Sequence, residues 1–330
     1  MSPEFVWWQG IVEDTNDPLK IGRCRVRIIG YHSPNKSDIP TSNLPWAQPI
    51  LPITNASISG IGLSPTGIVT GSWVFGFFQD GEKGQLPIIF GSLAGIPQDK
   101  AAPSKGFNDP TGEYPREDYI GESDVNRLAR NQNIDKTIVA SKKENEETNI
   151  VSALGEEWWK EPTTPYNATY PKNKVFETES GHIEEFDDTP GSERIHRYHK
   201  SGTFEEIHPD GSKVVKVLGS SYSLVAGTNK VLIKSNSSTN IEKDGNIKIG
   251  ENCNVEIEGN VNLYIKGNIT VECDGNVNHQ VAGTYTVVSK GNMVFLAPRI
   301  DLNPNGFSST DVDDPISPEI KQYDSHGNPQ

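Results

Sequence analysis

Four histidines close together in the chain are the first candidates for metal chemistry, because imidazole is the commonest metal ligand in proteins. His182, His196, His199 and His208 fall within 27 residues. Residues three apart on an extended strand point to opposite faces, so His196 and His199 cannot hold one ion from the same strand. We therefore interpret all four as polar strand positions. The sequence predicts no metal site, no catalytic residue and no cofactor.

Three cysteines and His279 are further candidates for chemistry. Cys24, Cys253 and Cys273 are odd in number and widely scattered, which fits neither a disulfide framework nor a zinc site. Cys253, Cys273 and His279 fall on positions of a repeat, described below, that we expect to face inward. There the cysteines act as small apolar fillers. We favour a satisfied core histidine for His279 over a polar layer that traps a water or an ion.

The composition of the chain indicates the type of fold that holds these residues and excludes some classes of partner. Hydrophobic residues make up 34% of the chain, with 31 glycines and 23 prolines, which favours strands joined by tight turns. The net charge of −14 argues against nucleic-acid binding. We therefore interpret Trp7 and Trp8 as contacts with neighbouring subunits rather than as a surface on which a nucleic acid or a glycan stacks. We expect neither a transmembrane helix nor a signal peptide, so another component would carry the protein to a membrane.

Four segments of different character follow one another along the chain. Residues 1–97 predict a compact β domain, because short apolar runs alternate with Asp-Pro, Gly and Asn turns. Residues 98–175 are rich in proline and predict an extended linker that lies against other chains, with one short helix at residues 123–131 capped by Ser123. Residues 176–303 predict a strand meander that leads into the repeat. Residues 304–330 form a polar tail.

An eight-residue repeat dominates the C-terminal half of the chain. Glycine recurs at one register position: Gly211, Gly219, Gly227, Gly259, Gly267, Gly275, Gly283 and Gly291. Two residues before this position the side chain is apolar, and we predict that these residues form the core of a needle: Val217, Val225, Ile233, Ile241, Ile249, Ile257, Ile265 and Val281. Self-similarity at a fixed period is typical of repeat architectures.

Each repeat predicts one short strand and one corner. The apolar positions four after and two before the glycine position lie two apart on a strand and share one face. Glycine followed by a small polar residue favours positive φ and a sharp bend. Eight residues supply only one side of a coil, so three chains wound in register are needed to close a triangular prism without open edges. A flat two-sheet sandwich is the alternative.

The repeat and its flanking motifs resemble a known family. The needle entry carries ESGH at residues 179–182, DDTPGSERI at 187–195 and HKSGTFEEIHPDGS at 199–212; the N-terminal part carries GIVED at 10–14, DPLKIGR at 17–23, PWA at 45–47, GSWVFGFF at 71–78 and PIIFGS at 87–92. These motifs are similar to the central spike of contractile phage tails, of the T-even type, and to the valine-glycine-repeat spikes of type VI secretion systems. The resemblance covers residues 1–97 and 176–302. It implies an all-β protein with an N-terminal OB-fold barrel, an extended linker and a C-terminal intertwined trimeric β-helix.

The chain departs from the T-even type at one place. That spike carries a lysozyme domain between the two similar parts, where this chain has only residues 98–175. A lysozyme needs a buried glutamic acid, a nearby aspartate and a cleft. The segment has carboxylates but no apolar framework for a cleft: Glu144, Glu146, Glu147, Glu156 and Glu157. We therefore expect no enzyme.

The resemblance implies a structural, envelope-piercing spike located in the virion tail baseplate and driven by sheath contraction. Its expected partners are two further copies of the chain, a baseplate hub or tail tube protein at the OB end, a small conical tip protein at residues 299–303, and the host outer membrane. Two alternatives stay open: a spike with residual peptidoglycan-degrading activity in residues 98–175, and a trimeric glycan-binding tailspike or adhesin.

Overall fold

A closed five-stranded barrel forms the N-terminal part of the chain. The computed structural model describes residues 5–144, 150–151 and 157–301, which divide into two units, Met1–Ser238 and Thr239–Gln330. The barrel strands are β1 (Val6–Asp14), β2 (Cys24–Ile28), β3 (Trp46–Pro49), β4 (Trp73–Phe78) and β5 (Pro87–Ser92). They close in the order β1-β2-β3-β5-β4, with β3 and β5 parallel and the other pairs antiparallel. This strand order is that of the OB fold, a five-stranded Greek-key barrel. The predicted all-β class is confirmed.

The barrel interior is apolar, and one buried ion pair lies outside it, on the outer face of β1 and β2. Alternating residues of the strands point inward and pack around Val12, Val26 and Val74. Arg27 lies on the outer face, yet it is fully buried, because its guanidinium also donates to the carbonyl oxygens of Ser33 and Ile39. Its Nε donates to Glu13 Oε1 at 2.7 Å and its Nη2 to Glu13 Oε2 at 3.1 Å. The two groups neutralise each other, which makes their burial tolerable.

The segment that follows the barrel folds against its own chain. It contains two short helices, α1 (Arg127–Arg130) and α2 (Ile138–Glu144), and a two-stranded sheet of β6 (Ile150–Val151) and β7 (Glu157–Trp159). A second apolar cluster joins its residues to the strands beyond: Leu128, Val139, Tyr166, Ala168 and Ile183. Residues 98–144 therefore differ from the extended linker that we expected, because they cover a sheet of the same chain.

The predicted start of the short helix is wrong by three residues. Asn126, not Ser123, caps α1, because its Oδ1 accepts from the backbone N–H of Leu128 at 2.8 Å. Ser123 instead makes a local turn in which its Oγ accepts from the N–H of Val125. Both residue types are common caps, so composition alone does not choose between them.

A five-stranded antiparallel meander follows, as the turn residues predicted. Its strands pair in chain order: β8 (Asn173–Glu177), β9 (Ile183–Asp187), β10 (Arg194–Tyr198), β11 (Phe204–Ile207) and β12 (Lys213–Lys216). Residues alternate between a face covered by α1, α2 and residues 161–173, and an open face. The covered face is rich in charge, and the open face carries a row of paired apolar residues, Phe186, Ile195 and Ile207. This distribution is the reverse of the usual one for a half-covered sheet.

The repeat region has bends at a period of eight and no regular secondary structure within the single chain. In the first unit the bends fall at residues 218–219, 226–227 and 234–235. In the second unit they continue from 242–243 to 290–291 at the same spacing. The corners thus coincide with the glycine register position. None of the described helices is long and apolar enough to cross a bilayer.

We expected a positive φ at the corner glycines, and this expectation is wrong for most of them. Gly211 has a φ of 81°, but none of the later repeat glycines has a positive φ. The corner is made with backbone angles open to other residues, so Ser235, Lys243 and Glu251 can occupy the same position. A positive φ is therefore not the reason why glycine is common at the corner position.

Candidate assembly surface

In each unit the repeat exposes apolar side chains at a period of eight residues. We call the eight residues predicted for the needle core the apolar strip: Val217, Val225, Ile233, Ile241, Ile249, Ile257, Ile265 and Val281. They are 41% to 60% exposed. Apolar residues on the same strand face, such as Ile247 and Val255, are more exposed still. Isolated exposed apolar residues are ordinary, but a periodic line of them marks an interaction surface.

The backbone of the repeat is equally incomplete. Among the described residues 231–301, no backbone hydrogen bond joins one residue to another. Extended segments of this kind present open rows of N–H and C=O groups. A Cβ added at Gly219 or at any later glycine of the register would meet nothing within 4 Å. The apolar strip and the space beside the corner glycines are thus open to solvent in the single chain.

The reactive residues singled out by sequence do not form a common site. His196 is buried, whereas His199 is exposed and its ring lies 4.5 Å from that of His182. Across the described residues, no group of three or more His, Cys, Asp and Glu could hold a metal ion. Cys24 is buried in the barrel, and burial raises its pKa to about 11.

The repeat's own candidates are open to solvent in the single chain. Cys253 and Cys273 are exposed, and the ring of His279 lies 6.0 Å from that of Tyr285. Their inward position, like the burial of the apolar strip, stays a prediction about the assembled protein.

A set of buried charges on the covered face of the meander was missed by sequence reasoning. We call it the buried network: Lys142, Glu185, Arg194, His196 and Glu206. Arg194 bridges the two acids, with Nη2 at 2.6 Å from Glu185 and Nη1 at 2.8 Å from Glu206. Lys142 Nζ lies 2.8 Å from Glu206, and His196 Nδ1 lies 2.7 Å from Glu185. Although burial opposes ionisation, Lys142 and Arg194 lower the pKa of Glu206 to about 2.

The alternation of charged and apolar residues was visible in the sequence. In Glu185-Phe186 and in Ile195-His196, one residue of each pair lies on each face of the sheet. The pattern shows which side chains share a face. It does not show that the charged face is the covered one, because the covering residues come from α2 and from residues 161–173.

An aromatic ladder lies on the outer surface of the barrel. It consists of Phe5 and Trp7, Phe75 and Phe77 of β4, and Phe90 of β5. The rings of Trp7 and Phe75 stack at 4.9 Å, and those of Phe5 and Phe77 at 4.6 Å. Trp8 points the other way and is buried. The pair Trp7–Trp8 is therefore one surface residue and one core residue rather than a joint platform.

The loop between β3 and β4 is apolar and free of charge. Residues 39–79 contain no Asp, Glu, Lys, Arg or His, although 22% of the chain is charged. Within the loop, Ser59 and Gly60 have φ values of 54° and 76°, and the N–H of Ile61 donates to Ile58 O at 2.9 Å. Two positive φ values inside such a bond define a type I′ turn. The turn holds exposed Ile58 and Ile61 side by side.

Comparison with known proteins places this architecture in a phage lineage. Residues 30–174 match the model of the Gp5 N-terminal OB domain. Over 271 residues the chain is 45% identical to Protein Gp5 of Vibrio phage KVP40, which covers 73% of this chain and 64% of that protein. Over 121 residues it is 47% identical to the pre-baseplate central spike protein Gp5 of Enterobacteria phage T4, which covers 35% of this chain and 21% of that protein.

The chain thus spans less than two thirds of the length of either relative. The alignments agree with the resemblance seen in the motifs and with the five-stranded barrel. The chain is a relative of the Gp5 spike proteins of T4-like phages and carries their type of OB domain.

Proposed function

We propose that this chain is the central spike of a phage tail baseplate, that it works as a homotrimer, and that it pierces the host envelope mechanically when the sheath contracts. The observation that carries the proposal is the repeat. Bends recur every eight residues, the apolar strip is exposed, and the described residues 231–301 form no backbone hydrogen bond with one another. Three chains in register supply the missing partners for all of these features at once.

A trimer completes the repeat physically. Each chain contributes one side of every coil, and the strips of three chains meet along the axis as the core. Backbone N–H and C=O groups pair between chains, which removes the open edges. The corner glycines leave space where chains pass one another closely. A prism of this kind has inter-chain bonds along its whole length and resists bending and axial load.

The open face of the meander supports the same assembly. Val215 lies on that face of β12 and is also a repeat position, four residues after Gly211. The apolar row of Phe186, Ile195 and Ile207 lies on the same side of the sheet. An uncovered apolar row that leads into the strip fits a surface shared with other copies.

The barrel end fits a docking role. The aromatic ladder and the charge-free loop place apolar groups on the surface without charges that would repel another protein. A baseplate hub or tail tube protein is the proposed partner here. A small conical tip protein is proposed at the opposite end, near residues 299–303, of which residues 302 and 303 lie outside the described part. The host outer membrane is the target.

Mechanical action without catalysis is the preferred mode. In residues 98–144 several described carboxylates take part in structural contacts, such as Glu122 with Arg127 and Arg130. Residual muralytic activity is the second candidate, since T-even spikes resemble this chain and carry a lysozyme. Purified trimer should leave a peptidoglycan suspension turbid, whereas clearing would establish the enzymatic alternative.

The decisive experiment is the solution mass. Light scattering after size exclusion should give three times 36.2 kDa, and the assembly should survive mild detergent. Ile249→Asp places a charge in the strip and should abolish assembly, whereas Lys248→Asp, its neighbour on the opposite face, should not. A folded monomer would remove the spike model and leave the sandwich or adhesin. Glycan-array binding by that monomer would favour the adhesin.

A further inference from the structure

The buried network contains one member that does not belong to the sheet. Glu185, Arg194, His196 and Glu206 lie on β9, β10 and β11, while Lys142 enters from α2. The side chains of the sheet members are at most 1% exposed, and that of Lys142 is 8% exposed. Lys142 Nζ also lies 4.0 Å from the centre of the Phe204 ring. The ammonium therefore fastens a seven-residue helix to the meander.

Hydrogen-bond chemistry fixes the protonation of His196 in this arrangement. Its Nδ1 lies 2.7 Å from Glu185 Oε2, and an ionised carboxylate only accepts, so Nδ1 carries the proton. Its Nε2 lies 3.5 Å from Lys142 Nζ, and an ammonium only donates, so Nε2 must offer a lone pair. Docked Lys142 thus requires neutral His196.

The charges of the network balance only in that state. Lys142 and Arg194 offset Glu185 and Glu206. A proton on His196 adds a third positive charge and directs an N–H at the ammonium of Lys142. Arg194 is held between both acids, and His196 stays bonded to Glu185, so Lys142 is the cation with the freedom to leave.

We propose that α2 is a clasp on the meander, fastened by Lys142 at neutral pH and released when His196 gains a proton. The groups that face His196 are Glu185 from β9, Lys142 from α2, Arg194 from its own strand, and Glu206 with the Phe204 ring from β11. His208 also contacts Glu206, at 3.2 Å, on the same Oε2 that Lys142 uses. Release of the clasp withdraws Val139 of α2 from the second apolar cluster and leaves the strands of the meander in place.

The direction of the pH effect follows from burial. Burial lowers the pKa of His196, and the positive charges of Lys142 and Arg194 lower it further, against the opposing bond from Glu185. The ammonium of Lys142 lowers the pKa of His196 only while α2 is docked, so the released state takes up the proton more readily than the docked state. Protonation therefore favours release, and docking weakens as the pH falls. The opening equilibrium should be larger at pH 5.0 than at pH 7.5.

Hydrogen exchange of the full chain, read by mass spectrometry and corrected for the chemical exchange rate, tests the clasp. Amides of residues 138–144 should lose protection between pH 7.5 and 5.0, while the barrel strands keep theirs. Lys142→Met should abolish this pH response because no ammonium opposes the imidazolium. Lys143→Met, at the exposed neighbouring position, should respond as the unaltered chain does.

A second variant covers the case in which Lys142→Met fails to hold α2 at all. His196→Gln keeps a donor for Glu185 and an acceptor for Lys142 but cannot titrate. Its protection at residues 138–144 should be the same at both pH values. A pH response that persists in His196→Gln, or protection that does not change in the unaltered chain, overturns the proposal.

Discussion

Truncation of one apolar side chain in the strip distinguishes an assembled needle from a single chain. Ile257 is 53% exposed in the single chain. If Ile257 is exposed in the native protein, Ile257→Ala should change the free energy of unfolding by no more than about 0.5 kcal/mol. If three copies meet in a core, each substitution removes buried methyl and methylene groups and leaves a cavity, at about 2–5 kcal/mol per chain. The trimer then loses about 6–15 kcal/mol, since the change occurs three times.

The assay is dissociation of the trimer in unheated detergent gels along a temperature gradient, with urea unfolding as the equilibrium measurement. Glu256→Ala is the matched control because Glu256 is adjacent on the strand and points to the opposite face. Ile257→Ala should dissociate at a clearly lower temperature than both the control and the unaltered chain. Equal behaviour of the two variants would falsify the assignment of the strip to a core.

Three other perturbations probe the rest of the molecule. Arg27→Met should lower the free energy of unfolding of the barrel by about 3–5 kcal/mol because it leaves Glu13 buried without its charge partner. The urea midpoint, followed by tryptophan fluorescence, measures this loss. The double variant Arg27→Met with Glu13→Gln should recover part of it. Gly211→Ala should destabilise the chain by about 1–2 kcal/mol through its positive φ, whereas Gly30→Ala, equally open but in the barrel, should leave trimer dissociation unchanged. The free energy of unfolding should fall as the pH drops from 4.5 towards 2, because folded Glu206 titrates at about 2 and the unfolded residue near its ordinary value; a Glu206→Gln variant that shows the same fall would contradict this assignment.

Local alternation and turn residues were sufficient to predict a β domain in residues 1–97 and a strand meander that begins near residue 176, but they did not predict β3, β6 or β7. The meander begins and ends near the predicted turns because Gly, Pro, Asn and Asp set backbone angles within a few residues. The corners of the repeat were predictable for another reason: one error in spacing would have broken a pattern sustained over many periods. Neither inference needed any long-range contact.

The features that sequence reasoning missed depend on residues distant in the chain. Arg27 lies on the outer face of the barrel and is buried there because Glu13 of the neighbouring strand and the backbone of Ser33 and Ile39 contact it. His196 looks like a polar strand position until Lys142 covers it from α2. Alternation assigns residues to faces, and only tertiary packing decides which face is enclosed. Glycine likewise permits a positive φ without requiring it, as the corner glycines after Gly211 demonstrate.

If three chains assemble as proposed, the eight-residue spacing of the bends also determines by which steps the needle can change in length. Because every coil is built from the same unit, removal or duplication of one whole octad shortens or extends the shaft and returns each later side chain to its former face. Loss of any other number of residues rotates the remainder out of phase with its neighbours and breaks the assembly beyond that point. Related proteins of this kind can therefore differ in needle length by whole octads, while the cross-section of the prism stays the same.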